Sequence, residues 1–178
     1  MLRQIRRIVT TNDAEGKSGV MIDGTADNII TVLTELWITK PGKVNHTDGI
    51  DHGALSTQLE PPHGGTLFRY FEIPPESEFA HLSEDEKRKA NAEWFAAMKG
   101  AHLQPDTSIH PAMHKSPTTD YIILLSGEIT LVLEKEERTL KPFDCVIQRA
   151  TNHAWVNRGK ENALLMAVLV SDGSEGHA

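Results

Sequence analysis

Apolar and polar residues alternate with a period of two along most of this chain, the spacing of strands that bury one face. Residues 3–10 and 17–22 predict two strands joined by the polar turn Thr11-Asn12-Asp13-Ala14-Glu15-Gly16. Residues 28–39 predict another, with Ile30, Val32, Leu33, Leu36 and Trp37 as its apolar members, ended by Lys40-Pro41-Gly42. From Val44 to Gly65 the chain is polar, rich in Gly, Pro and His, and has no period of its own. Loops of that length tend to be functional or mobile. This one holds His46, His52 and His63, which are expected to stand in solvent. Residues 66–73 predict a strand stopped by Pro74-Pro75.

The period then changes. Ser83-Glu84-Asp85-Glu86 has the Ser-x-x-Glu form of a capping box, with acids in the first turn. Ala90, Trp94, Ala97 and Met98 follow at helical spacing, and Lys99-Gly100 closes the helix. Its apolar face is expected to pack on the rest of the fold; a lid or dimer contact beside a pocket entrance is the alternative. Beyond it, residues 119–125 and 128–133 predict a hairpin across Ser126-Gly127, continued by strands at 137–140, 143–148, 153–157 and 163–170. Leu164, Leu165, Met166, Val168 and Leu169 read as a strand buried on both faces. Residues 171–178 are small and polar, and disorder is expected there.

The predicted fold is therefore all-β, a single barrel with one inserted helix, since no internal repeat is visible. Residues 1–100 form an N-terminal β extension, loop and helix packed on the barrel, residues 101–170 its core, and 171–178 a tail.

A chain of 178 residues with 39% hydrophobic residues can bury a core. The net charge of −7 and the lack of a basic stripe argue against nucleic acid as a partner. The single cysteine, Cys145, excludes an intramolecular disulfide and reads as a buried, inert thiol beside Val146 and Ile147. The first residues lack the apolar core of a signal peptide, and no run of 18 apolar residues exists, so no membrane segment is expected and a cytoplasmic location is the default.

Candidate chemistry concentrates between Ser108 and His153. His110, His114 and Asp120 stand at or near the start of one apolar run, and His153 comes from a second strand pair. If Asp120 points inward, Ile122 and Leu124 do too, while Tyr121, Ile123 and Leu125 point out. An unpaired carboxylate in that position costs several kcal/mol, so it needs a cation or strong donors. A metal ion supplies this; Arg149 is the structural alternative. Imidazole and carboxylate donors from separate strands suit a divalent first-row metal, with Fe, Zn, Mn and Ni all open. His110 or Gln148 is left to complete the set. Met113, Tyr121, Trp155 and Phe68 are candidate pocket walls. No Gly-rich phosphate loop, Gly-x-Ser-x-Gly elbow or Cys–His dyad is present.

At these residues the chain resembles the cupins, small double-stranded β-helix (jelly-roll) proteins. Their first motif runs Gly, five residues, His-x-His, three or four residues, Glu, six residues, Gly. Asp120 stands in the Glu position, six residues before Gly127, and His114 stands for one histidine. The second motif runs Gly, five residues, Pro-x-Gly, two residues, His, three residues, Asn, and is matched by His153 and Asn157. The chain departs from the pattern at several points. His110 and His114 are four apart, Phe143 sits where a Gly before the Asp is usual, and Gln148 and Ala150 replace the Pro and Gly of the second motif. The resemblance implies a jelly-roll barrel, a homodimer formed through the N-terminal extension with Tyr121 and Ile123, and a metal held by His114, Asp120 and His153. It further implies an enzyme acting on a small organic molecule, by dioxygenase-type, decarboxylase, isomerase or lyase chemistry. A non-catalytic small-molecule binder is the alternative.

Overall fold

The computed structural model describes residues 2–173. It opens with a hairpin of β1 (Arg6–Asn12) and β2 (Ser18–Thr25), joined by a turn in which Asp13 accepts from the backbone N–H of Glu15 and Lys17. The Arg7 guanidinium ties this hairpin to the body, donating to the Leu36 carbonyl at 2.7 Å and pairing with Asp51.

The expected strand at 28–39 is broken. β3 (Ile29–Ile30) and β4 (Leu33–Thr39) form a tight hairpin because Thr31 adopts φ 53°, a conformation that reverses the chain. The Trp94 indole N–H donates to Thr31 Oγ1 at 2.7 Å, an interaction between residues 63 apart that local patterning could not reveal. The long loop that follows contains one 3-10 turn, His52–Leu55, capped by Asp51.

The remaining strands are β5 (Thr66–Ile73), β6 (Thr118–Ser126), β7 (Ile129–Leu133), β8 (Glu137–Leu140), β9 (Cys145–Arg149), β10 (His153–Val156) and β11 (Ala163–Ser171). All pairings among the named strands are antiparallel. One sheet has the order β3-β4-β5-β11-β6-β9 and the other β10-β7-β8. Ile38 and Leu67 from the first hundred residues share a core with Ile122 and Leu124 of β6, Leu131 of β7, and Leu165 of β11. Two sheets rolled around one apolar core give the jelly roll that the cupin resemblance implies. The first hundred residues, however, do more than pack on it: β4 and β5 are built into its larger sheet through β11.

Helix α1 (Glu84–Ala97) has the predicted capping box, with Ser83 Oγ accepting from Glu86 N–H at 3.3 Å and Glu86 Oε2 accepting from Ser83 N–H at 2.8 Å. Its inner stripe is Lys87, Asn91, Trp94, Phe95 and Met98, one register away from expectation, and Ala90 and Ala97 are exposed. Lys99, at φ 55°, makes the left-handed residue that ends the helix. Ser171, expected in the tail, instead closes β11 with its N–H donating to the Gly65 carbonyl; positions 174–178 of that tail lie outside the described residues. No helix among the described residues is long and apolar enough to cross a membrane.

Candidate functional site

A cavity of about 510 Å³ lies between the inner face of the barrel and α1. That is the size in which small organic molecules are held. Phe71, Ile122, Trp155 and Leu169 contribute from strands, Trp94 and Phe95 from α1, and Leu103 and Ile109 from the segment that leads into β6. The polar side chains set into this apolar wall include His110, His114, Asp120, His153 and Arg69.

His114 and His153 form the centre of it. His114 precedes β6 and His153 opens β10, and the two residues make a lone antiparallel bridge, N–H to O at 2.8 and 2.9 Å. Their rings lie 4.3 Å apart, with Phe95 5.1 Å from His114 and Trp155 6.0 Å from His153. Each Nδ1 sits against a backbone carbonyl two residues back: Ala112 O at 3.0 Å for His114 and Thr151 O at 2.9 Å for His153. A carbonyl can only accept, so each Nδ1 carries the proton and each Nε2 keeps a bare lone pair. Neither Nε2 has a partner among the described residues. Burial pushes both imidazoles below their usual pKa, and with His114 alongside, His153 falls to about 3. Both rings are neutral at physiological pH.

Asp120 points inward in line with Ile122 and Leu124, as the alternation requires. Burial raises its carboxyl to about 6, against the opposing influence of a Thr118 hydrogen bond and the Arg69 charge, and its Oδ1 has no hydrogen-bond partner. The charge that compensates it is Arg69 of β5, not Arg149, which is exposed on β9. Arg69 is itself buried against Glu35 of β4 at 2.8 Å, and also donates to the carbonyls of Gln58 and Leu59 at 3.0 Å. Sequence reasoning missed this pair. Its signal was an arginine at an inward position of Thr66-Leu67-Phe68-Arg69-Tyr70-Phe71, in register with a glutamate.

The other predicted site residues divide. Trp155 lines the cavity. His110 lines it too, but its Nδ1 accepts from the Ala112 N–H at 3.1 Å and its Nε2 faces Glu76 at 3.9 Å. Gln148 is paired with Asp120 across the strands, yet its amide donates to Thr151. Met113 is buried in a second core with Val132, Ala154 and Val156. Tyr121 is 51% exposed on the outer face, opposite Ile147, and Phe68 packs near Tyr70 on that same face. Cys145 is exposed on the edge strand, because the inward positions of β9 are Val146 and Gln148. Among the loop histidines, His52 stacks on Trp37 at 5.0 Å and pairs with Asp48 at 2.8 Å. His46 and His63 are exposed.

Among the described residues, no three His, Cys, Asp or Glu side chains come together as a group able to hold one ion. The bare Nε2 atoms of His114 and His153 are suitable nitrogen donors, but Asp120, His110 and Gln148 do not join them. The residues present do not fit the expected three-ligand centre.

The family model described as "Cupin domain" matches residues 101–169. These residues belong to the cupin superfamily. The second cupin motif explains Asn157, which is buried and clamps a turn, donating to the Ile73 and Glu161 carbonyls at 2.8 Å and accepting from Gly159 N–H. Ala150, which replaces a glycine of that motif, and Phe143, where a Gly before Asp144 is usual, have left-handed backbones at φ 47° and 75°. Phomopsin biosynthesis cluster protein C' of Diaporthe leptostromiformis is 51% identical over 47 residues, 26% of this chain and 25% of that protein. Cupin-domain-containing oxidoreductase virC of Hypocrea virens is 26% identical over 167 residues, 88% of this chain and 69% of that protein. The chain thus spans a quarter of the length of the first of these relatives. Among solved structures, an RmlC-like cupin family protein from Methanocaldococcus jannaschii is 13% identical, with a TM-score of 0.39 over 65% of this chain and 76% of that one.

Proposed function

We propose that this cupin is an enzyme that moves protons on a small hydroxylated organic molecule, in an isomerase or lyase type of reaction. The observation that carries the reading is the pair of bare Nε2 atoms of His114 and His153 in an apolar-walled cavity shared with Asp120. Asp120, near pKa 6, is the side chain best matched to general-base work close to neutral pH. His114 and His153 stay neutral and accept hydrogen bonds from substrate hydroxyls, so they orient the molecule rather than ionise. Protonating one imidazole disfavours protonating its neighbour, which keeps the pair in one state.

Simple model compounds are enough to test this. α-Hydroxy ketones and aldehydes incubated in D₂O with the protein should exchange the C–H beside the carbonyl faster than in buffer alone, read by proton NMR. Asp120→Asn, still folded by circular dichroism, should lose the exchange. Exchange that is unchanged in that variant contradicts the reading.

A second reading is a metal-dependent oxidoreductase of the dioxygenase type. It is favoured by the two unpartnered imidazole nitrogens and by the oxidoreductase names of relatives such as virC. Purified protein would then retain iron, zinc, manganese or nickel near one ion per chain and release it in His153→Asn. Protein that keeps no metal under non-chelating purification counts against it.

A further inference from the structure

We infer that the cavity takes a hydroxyl-bearing amphiphile without negative charge, a phenol or alcohol whose O–H donates to the His114–His153 pair and whose apolar tail runs out to the rim beside α1. The inference rests on the acid–base reading of the same cavity and goes on to name its ligand.

The polar end is set by what the wall lacks. The two imidazoles present bare acceptors, and the donors around them are largely spent. Trp94 donates to Thr31 at 2.7 Å, Asn91 to the Lys87 carbonyl at 2.9 Å, and Asn157 to two carbonyls. The Arg69 guanidinium is committed to Glu35 and to the carbonyls of Gln58 and Leu59. A ligand end that only accepts hydrogen bonds leaves the Nε2 atoms unpaired, whereas a hydroxyl satisfies one of them. Discrimination of this kind is strong, because an unmatched buried polar group loses its water without compensation.

A negative charge on the ligand has no free counter-ion: Arg69 is already paired with Glu35, and an anion would meet Asp120. At the rim, Lys87 pairs with Glu84 at 2.8 Å and Arg88 donates to the Thr107 carbonyl at 2.8 Å. The tail is set by the opposite end of the cavity. Phe79 and Ile109 are 43% and 49% exposed and both belong to the cavity wall. With Leu82 and Trp94 they form an apolar path from the interior to solvent. An alkyl or aryl tail of the ligand covers them.

Trp94 and Trp155 line the cavity, so intrinsic fluorescence of the wild-type protein reports its filling. Three probes separate the claims: 4-heptylphenol, its methyl ether and nonanoate, with phenol as the tail-less control. The expected result is saturable binding of 4-heptylphenol, with each of the other three at least tenfold weaker. Ile109→Asp, at an exposed position, should weaken 4-heptylphenol at least fivefold and leave phenol unchanged. Equal or tighter binding of the ether, of nonanoate or of phenol overturns the inference, as does failure of 4-heptylphenol to bind. The two readings fail separately. Selective binding of the phenol with no proton exchange on any substrate leaves the ligand class standing and removes the chemistry. Exchange confined to anionic substrates does the reverse.

Discussion

The main chains of His114 and His153 hydrogen-bond to each other in both directions, while their side chains each turn Nδ1 back to a carbonyl two residues earlier. Backbone alone therefore fixes both ring positions and both tautomers. Such an arrangement holds two neutral imidazoles 4.3 Å apart without a carboxylate to charge them. It also makes the protein sensitive to acid.

His153 titrates near 3 in the folded state and near 6.5 in the unfolded chain. Its folded pKa is depressed, so the unfolded state binds more protons and stability is lost as pH falls from about 6.5 towards 3. At pH 4 this amounts to about 3 kcal/mol by linkage. His153→Gln should therefore lose less stability than wild type between pH 7 and pH 4. Urea unfolding at both pH values checks it; parallel losses would contradict the assignment.

Asp120 gives the opposite slope. Its folded pKa, near 6, lies above the ordinary carboxylate value, so the folded state binds more protons. Its stabilising contribution is full below about pH 4 and is lost as pH rises through 6. Asp120→Asn should accordingly gain stability over wild type at pH 7–8, on the order of 1–3 kcal/mol. That gain should vanish at pH 4. A gain independent of pH would show that the charge is not its source.

Arg69 and Glu35 are buried together in the large sheet. Arg69→Met strands the glutamate charge and should cost about 3–5 kcal/mol. The double variant Glu35→Leu with Arg69→Met should recover most of this, since it removes both charges. A double variant as unstable as the single one would mean that the Arg69 bonds to the Gln58 and Leu59 carbonyls matter more than the ion pair.

Phe143 and Ala150 occupy left-handed conformations with side chains that disfavour them. Ala150→Gly relieves that strain and should stabilise the fold by about 1 kcal/mol, a rise in Tm of roughly 2–4 °C for a domain of this size. Phe143 is 79% exposed, so Phe143→Gly removes little packing and should act in the same direction. A fall in Tm for Ala150→Gly would show that the turn before His153 needs its methyl group.

The strands were legible because alternation records which face is buried. Asp120, Ile122 and Leu124 fell on the inner face, and His114 and His153 came together as their places in the cupin motifs implied. The reversal at Thr31 was not legible, since no Gly or Pro marks it and its side-chain contact, Trp94, lies 63 residues away. The partner of Asp120 was hidden for the same reason: Arg69 reaches it through the β5-β11-β6 order, which no local pattern encodes. Gln148 shows the limit of spacing arguments: it sits in the expected strand, but its amide turns to its own following loop. Tyr121 faces outward, as the alternation requires, and so is not the pocket wall it was a candidate for.

Two neutral imidazoles that offer bare Nε2 atoms to the cavity are the centre of the proposed chemistry. Nitrogen-15 NMR of the histidine rings at pH 7 tests them directly. For His114 and His153 the expected result is a protonated Nδ1 and an unprotonated Nε2, and for His153 this is unchanged down to pH 5. A proton on Nε2 of either ring at pH 7, or an imidazolium at His153 down to pH 5, would contradict it.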